Sequence, residues 1–139
     1  MVRRESKQLD FEGQAFHIGF DVHKKDWKVT IRSGHMELKT FSMNPHPAEL
    51  AGYMRRHYPG GEYHSVYEAG YCGYWIHRKL EKLGIRTMVV NPADVPTKHK
   101  EKTDKSDPID SRKLSRELEN GSLEGVYIPT EATQSIRSY

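Results

Sequence analysis

Asp21, in the string GFDVH, and Glu68, in VYEAG, each close a short apolar run, and Asp107 and Asp110 open a later amphipathic stretch in KSDPIDSRKL. Carboxylates are the oxygen ligands that Mg²⁺ and Mn²⁺ take. A converging set can hold two such ions and perform phosphodiester chemistry, one ion making a nucleophile and the other steadying the leaving oxygen. Asp107 and Asp110 stand three residues apart, close to one helical turn, so both can point from one helix face. Convergence without a cation is costly: one like-charge pair about 4 Å apart costs roughly 4 kcal/mol at an effective dielectric near 20. The empty set should be partly protonated and should gain stability from metal. Each carboxylate also has an ordinary use, since an Asp at a strand end serves turns and an Asp-x-x-Asp at a helix start serves exposed N–H groups and the dipole.

Positioning such a set requires a sheet with helices on it, and the sequence supplies one. AFHIGFDVH, DWKVTIRS and HMELKTFSM are rich in β-branched and aromatic residues and are separated by Lys24-Lys25 and Ser33-Gly34, which predicts a three-stranded antiparallel meander. The middle segment alternates Trp27, Val29 and Ile31 with Lys28, Thr30 and Arg32, the pattern of a sheet half covered by helices. AELAGYMRRHY follows as a helix, YHSVYEAG as a strand, WIHRKLEKLG as an amphipathic helix ending at Gly84, and Ile85 to Val90 as a buried strand. The short strand-helix-strand connection requires a crossover and parallel pairing. IDSRKLSRELENG is the last helix, with Pro108 near its first turn, and Val126 to Ile128 is a final extended segment. If the first and fourth strands are neighbours, Asp21 and Glu68 lie side by side at one edge. The fold class is therefore α/β, a mixed sheet of three antiparallel strands followed by parallel strands, with helices on both faces.

The 139 residues suit one domain, read as a disordered leader over 1–14 and a folded unit over 15–129. Hydrophobic residues make up 35% and charged residues 29%, and no apolar stretch is long enough for a membrane span. The charged start has no apolar h-region, so a cytoplasmic setting is expected. A single cysteine, Cys72, excludes an internal disulfide and a cysteine-rich zinc site. The net charge of +3 is only mildly basic, so local distribution matters more than the sum.

Four strings in order, HIGFDVHKKDW, YEAGYCGYWIHRKLEKLGI, VVNPADV and KTDKSDPIDSRKLSREL, resemble the successive motifs of the DEDD transposases of insertion-sequence family one-hundred-ten, related to the Piv-type DNA invertases. The resemblance runs from about His17 to Pro129. It implies a RuvC-like, ribonuclease H-fold domain of a transposase or site-specific recombinase, whose four acidic residues bind Mg²⁺ or Mn²⁺ and fall on Asp21, Glu68, Asp107 and Asp110. This sequence departs from the family's compact TD-x-x-DA string, because KTDKSDPIDS offers Asp104, Asp107 and Asp110 at the same spacing. The pair is set on Asp107 and Asp110 because SRKLS follows Asp110; Asp104 with Asp107 is the alternative. The resemblance also implies DNA as partner, a structured guide RNA and a homo-oligomer as further partners to consider, and a carboxy-terminal serine-bearing domain to which residues 130–139 begin a linker.

Lys98, Lys100, Lys102 and Lys105, with Arg112, Lys113 and Arg116, could contact phosphates beside the acidic set, or form a solvated loop and helix face. Tyr67, Tyr71, Tyr74 and Trp75 flank Glu68 and could stack on unpaired bases, although Tyr74 and Trp75 at a helix start are expected to cover the sheet edge. His23 follows Asp21 by two residues, on the same strand face if the strand continues, and could approach the metal site or a scissile phosphate or be a surface histidine. Three other functions compete: a stand-alone RuvC-like nuclease or junction resolvase, a non-catalytic nucleic-acid-binding module, and a sugar-kinase or actin-like phosphotransferase. The last ranks lowest, because Val22-His23-Lys24-Lys25 lacks the glycine and hydroxyl residues that cradle phosphate.

Overall fold

The structure is a computed structural model and describes residues 10–70, 73–92, 95 and 110–126. Five strands form one mixed sheet: β1 (Ala15–Val22), β2 (Trp27–Ser33), β3 (Met36–Met43), β4 (Glu62–Glu68) and β5 (Arg86–Val90). Among the described residues three helices accompany them: α1 (Pro47–His57), α2 (Trp75–Lys82) and α3 (Ser111–Asn120). The spatial order is β3-β2-β1-β4-β5. The first three strands pair antiparallel, whereas β4 joins β1 and β5 joins β4 in parallel. The β2–β3 turn places Gly34 and His35 at φ +61° and +64°, the left-handed pair that a two-residue hairpin requires.

Helices cover both faces. Phe16, Ile18 and Phe20 of β1, Trp27, Val29 and Ile31 of β2, and Tyr63 and Tyr67 of β4 pack beneath Leu50, Ala51 and Met54 of α1 and Ile76 and Leu80 of α2. On the other face Val66, Val90 and Val95 meet Leu114 of α3 and Leu123. Pro47 opens α1, where a missing N–H costs nothing, and Arg55, Arg56 and His57 sit at its carbonyl end in accord with the dipole.

Beyond the exposed Lys28, the polar side of β2 is not a solvent face. Thr30 is fully buried and its hydroxyl bonds Ser111 of α3 at 2.8 Å, while Arg32 pairs with Glu119 of α3 at 2.9 Å. A helix that brings its own hydroxyl and carboxylate can cover a polar stripe, which alternation alone does not reveal. Part of the expected leader is tied down as well: the Phe11 ring packs edge-on to Phe16 and Tyr58, and its N–H donates to the Pro59 carbonyl at 2.9 Å. The last helix begins at Ser111 rather than near Pro108, so Asp110 is its cap and not a residue of its first turn.

Among the described residues no helix is long and apolar enough to cross a membrane.

Candidate carboxylate site

Strand alternation fixes which way the first two carboxylates face. Since Phe16, Ile18 and Phe20 point toward α1 and α2, His17, Gly19 and Asp21 point toward α3. On β4, Tyr63 and Tyr67 take the first face, leaving His64, Val66 and Glu68 on the α3 side. The parallel register runs to Phe20 beside Tyr67, so the next residues, Asp21 and Glu68, adjoin at the same sheet edge. Both are half-buried. Burial, and then the neighbouring negative charge of Asp21, push the Glu68 carboxyl above its ordinary pKa.

His23 lies beyond the end of β1, in a turn closed by its own N–H to the Asp26 carbonyl at 3.0 Å. Its Nε2 still comes within 3.3 Å of Asp21 Oδ2, so the turn, not strand continuation, brings it to the carboxylate.

Helix α3 runs antiparallel to β1. Ser111 and Ser115 lie over Gly19, and Glu119 lies near His17, with Nδ1 to Oε2 at 3.8 Å. Its start, Asp110, is therefore directed toward the Asp21 end of the sheet. The approach is close enough that a Cβ on Gly19 would stand 2.4 Å from the Ser115 nitrogen and 2.5 Å from the Ser111 oxygen. Asp110 itself is exposed, and its Oδ1 accepts the Lys113 N–H at 2.9 Å, the ordinary cap. Among the described residues no three His, Cys, Asp or Glu side chains gather closely enough to hold an ion. Asp104 and Asp107, and with them Lys98, Lys100, Lys102 and Lys105, lie outside the described residues, as do Tyr71 and Cys72.

The cations of α3 have protein partners: Arg112 Nε lies 3.4 Å from Glu37 and Arg116 Nε 3.5 Å from Glu117, while Lys113 is half-buried. The aromatic residues divide. Tyr67 is fully buried; its hydroxyl donates to the Gly73 carbonyl at 3.0 Å and accepts the His77 N–H at 3.2 Å. Tyr74 is half-buried against the core. Trp75 does not cover the sheet edge: it is 49% exposed, because Ile76 and Leu80 occupy the inner face of α2. Thr30, Ser111 and Gly19, which seat α3, were not singled out by type or spacing; the small-residue rhythm of Ser111 and Ser115 was the available signal.

No family model matches the chain. Over 128 residues it is 27% identical to the transposase for insertion sequence element IS1533 of Leptospira borgpetersenii, covering 88% of this chain and 36% of that protein. It is 45% identical over 53 residues to the putative transposase y4rJ of Sinorhizobium fredii, covering 38% of this chain and 13% of that one. A second putative transposase of that organism, y4qE, is 35% identical over 71 residues, covering 51% and 18%. The chain thus spans between 13% and 36% of the length of these curated relatives. Over most of its own length it is similar to part of an insertion-sequence transposase.

Proposed function

We propose that this chain is the RuvC-like, ribonuclease H-fold domain of a DEDD-type DNA transposase, contributing a carboxylate site for Mg²⁺ or Mn²⁺ to strand cleavage and transfer during insertion-sequence mobility. The observation that carries it is the meeting of Asp21 and Glu68, 47 positions apart in the chain, at one edge and on one face of the sheet. The likeness to named transposases supports the same reading. Two adjacent carboxylates, one with its proton affinity raised by burial and then by the other's charge, fit a hard divalent cation. Asp21 and Glu68 would hold it, with Asp110 and Asp107 as further ligands. The ion would supply charge stabilisation to phosphodiester oxygens and a more acidic nucleophile. The chain's own part is to hold the two carboxylates side by side on rigid strands, to keep His23 against Asp21, and to fix the start of α3 through Gly19 and the Thr30–Ser111 hydroxyl bridge.

Thermal melting of the chain in EDTA and in millimolar Mg²⁺ or Mn²⁺ tests this, with Asp21→Asn, Glu68→Gln, Asp107→Asn and Asp110→Asn. At ten times its dissociation constant an ion stabilises by about 1.4 kcal/mol, several degrees for a domain of this size. Wild type should gain that shift and each variant should lose part of it. In EDTA the signs reverse for Asp21→Asn and Glu68→Gln, which relieve repulsion and should melt at or above wild type. A wild-type melt indifferent to metal, with both carboxylate variants melting below it in EDTA, would remove the metal site.

One observation favours a second reading, a nucleic-acid-binding module without catalysis: Asp110 is engaged in capping its own helix, and the described residues offer a carboxylate pair rather than a larger ligand set. Such a module would bind DNA equally well after Asp21→Asn and without metal.

A further inference from the structure

Helix α2 leaves the sheet at the end where β1 and β4 deliver Asp21 and Glu68, after a connection of only six residues. Ile76 and Leu80 are fully buried and fix its inner face. The residues opposite, Trp75, Arg78, Lys79 and Lys82, follow at i, i+3, i+4 and i+7, one stripe along the helix. Trp75 is 49% exposed, Lys79 and Lys82 are exposed, and Arg78 is half-buried. Among the described residues none of the three cations is ion-paired, and Arg78 Nε and Nη2 are covered yet lack any hydrogen-bond acceptor. The one acid of the helix, Glu81, is turned aside: it accepts the Thr87 N–H at 2.8 Å and lies 3.6 Å from His77. The platform under Trp75 is rigid, because the buried Tyr67 hydroxyl ties both the Gly73 carbonyl and the His77 N–H.

We propose that this outer face of α2 binds single-stranded DNA, one base stacking on the Trp75 ring while the phosphates pass along Arg78, Lys79 and Lys82. An exposed aromatic ring on a fixed helix start, followed by a row of cations, is the combination that holds unpaired nucleic acid without reading its sequence. A surface that only attracted polyanions would have no use for an indole kept in water beside the cations. The inference rests on the proposed function for the expectation that a strand reaches the Asp21–Glu68 edge; its own chemistry needs no metal.

The test is a titration of the 139-residue chain with a mixed-sequence single-stranded oligonucleotide in EDTA, read by tryptophan emission and by anisotropy of a labelled oligonucleotide. The chain has two tryptophans, and Trp27 is 1% exposed, so quenching by the oligonucleotide reports on Trp75. Trp75→Ala should weaken binding about 5- to 150-fold, the range of one lost base stack, whereas Trp75→Phe should retain most of it. Replacing Arg78, Lys79 and Lys82 together with alanine should lower the slope of log K against log salt by about 2, at roughly 0.7 per phosphate contact. Unaltered melting temperatures show that these surface variants fold. Binding unchanged by Trp75→Ala, or emission that the oligonucleotide does not quench, overturns the proposal. So does duplex binding as tight and as sensitive to Trp75→Ala as single-strand binding. Asp21→Asn separates the two readings: oligonucleotide binding lost with Trp75→Ala but kept with Asp21→Asn supports this surface even where the metal melt fails.

Discussion

Asp110 has two possible employments, and stability measurements tell them apart. As the cap of α3 its Oδ1 takes the Lys113 N–H, and Asn can do the same while Ala cannot. In EDTA, Asp110→Ala should therefore lose about 1 kcal/mol of unfolding free energy by urea denaturation, and Asp110→Asn only a few tenths. A ligand role would show in the metal shift alone, lost in both variants. At the other end of α3, Glu119 is almost wholly buried, 6% exposed at its side chain. Burial by itself would raise its pKa, but the His35 N–H and the Arg32 guanidinium, with His17 beyond them, more than offset this and hold it below the ordinary carboxylate value. A carboxyl with a lowered folded pKa contributes stability that is whole above its unfolded pKa, near 4.5, and is lost as pH falls through the lowered value. Glu119→Gln should cost about 3 kcal/mol at pH 7, because it leaves Arg32 with a weaker partner. That difference from wild type should shrink in denaturation series carried below pH 4; a gap constant from pH 7 to pH 3 would show that the charge of Glu119 is not what Arg32 uses.

Helix α3 is the element on which the site's geometry turns. Its backbone lies so near β1 that Gly19→Ala cannot be absorbed by a side-chain move: the nearest atoms are the Ser115 nitrogen and the Ser111 oxygen. The helix must shift, and overpacking of this kind costs about 1–3 kcal/mol. A melting temperature lowered by roughly 4–20 °C is expected, and with it a smaller metal shift, because the start of α3 moves away from the sheet edge. An alanine variant as stable as wild type would mean that α3 is seated less tightly. The strands and helices themselves were legible in the sequence, because their apolar spacing follows burial: Trp27, Val29 and Ile31 do face one core, and Ile76 and Leu80 do form the inner stripe of α2. The adjacency of the first and fourth strands stood only as a condition in the sequence, and the strand order supplies it. Three features were hidden for physical reasons. Thr30 and Arg32 read as solvent-facing because polarity does not disclose a partner 81 or 87 residues away. Trp75 read as buried because apolar type outweighed its angular position opposite Ile76 and Leu80. The start of α3 at Ser111 is hidden because a proline and two aspartates suit a first turn as well as the approach to a cap.

At the scale of the molecule, one sheet separates two kinds of surface. The face beneath α1 and α2 is sealed by aromatic packing, with Phe20 stacked between Trp27 and Tyr67. The α3 face ends in the two carboxylates, and the outer stripe of α2 carries positive charge that has no ion pair among the described residues, running from the same end of the sheet. Under the proposed function, a strand of DNA crossing that end would meet the cations and the acidic pair in succession. The bonds from Thr30 to Ser111 and from Arg32 to Glu119 carry a consequence for biosynthesis. They join α3 to residues that lie 81 and 87 positions earlier, so the helix can close over Val66 and Val90 only once residues past 110 have emerged. Such distant closures slow folding more than they weaken the folded state. The acidic edge thus acquires α3 only after all five strands have been made, and the helix that flanks Asp21 and Glu68 is also the one that closes the Val66–Val90 side of the core.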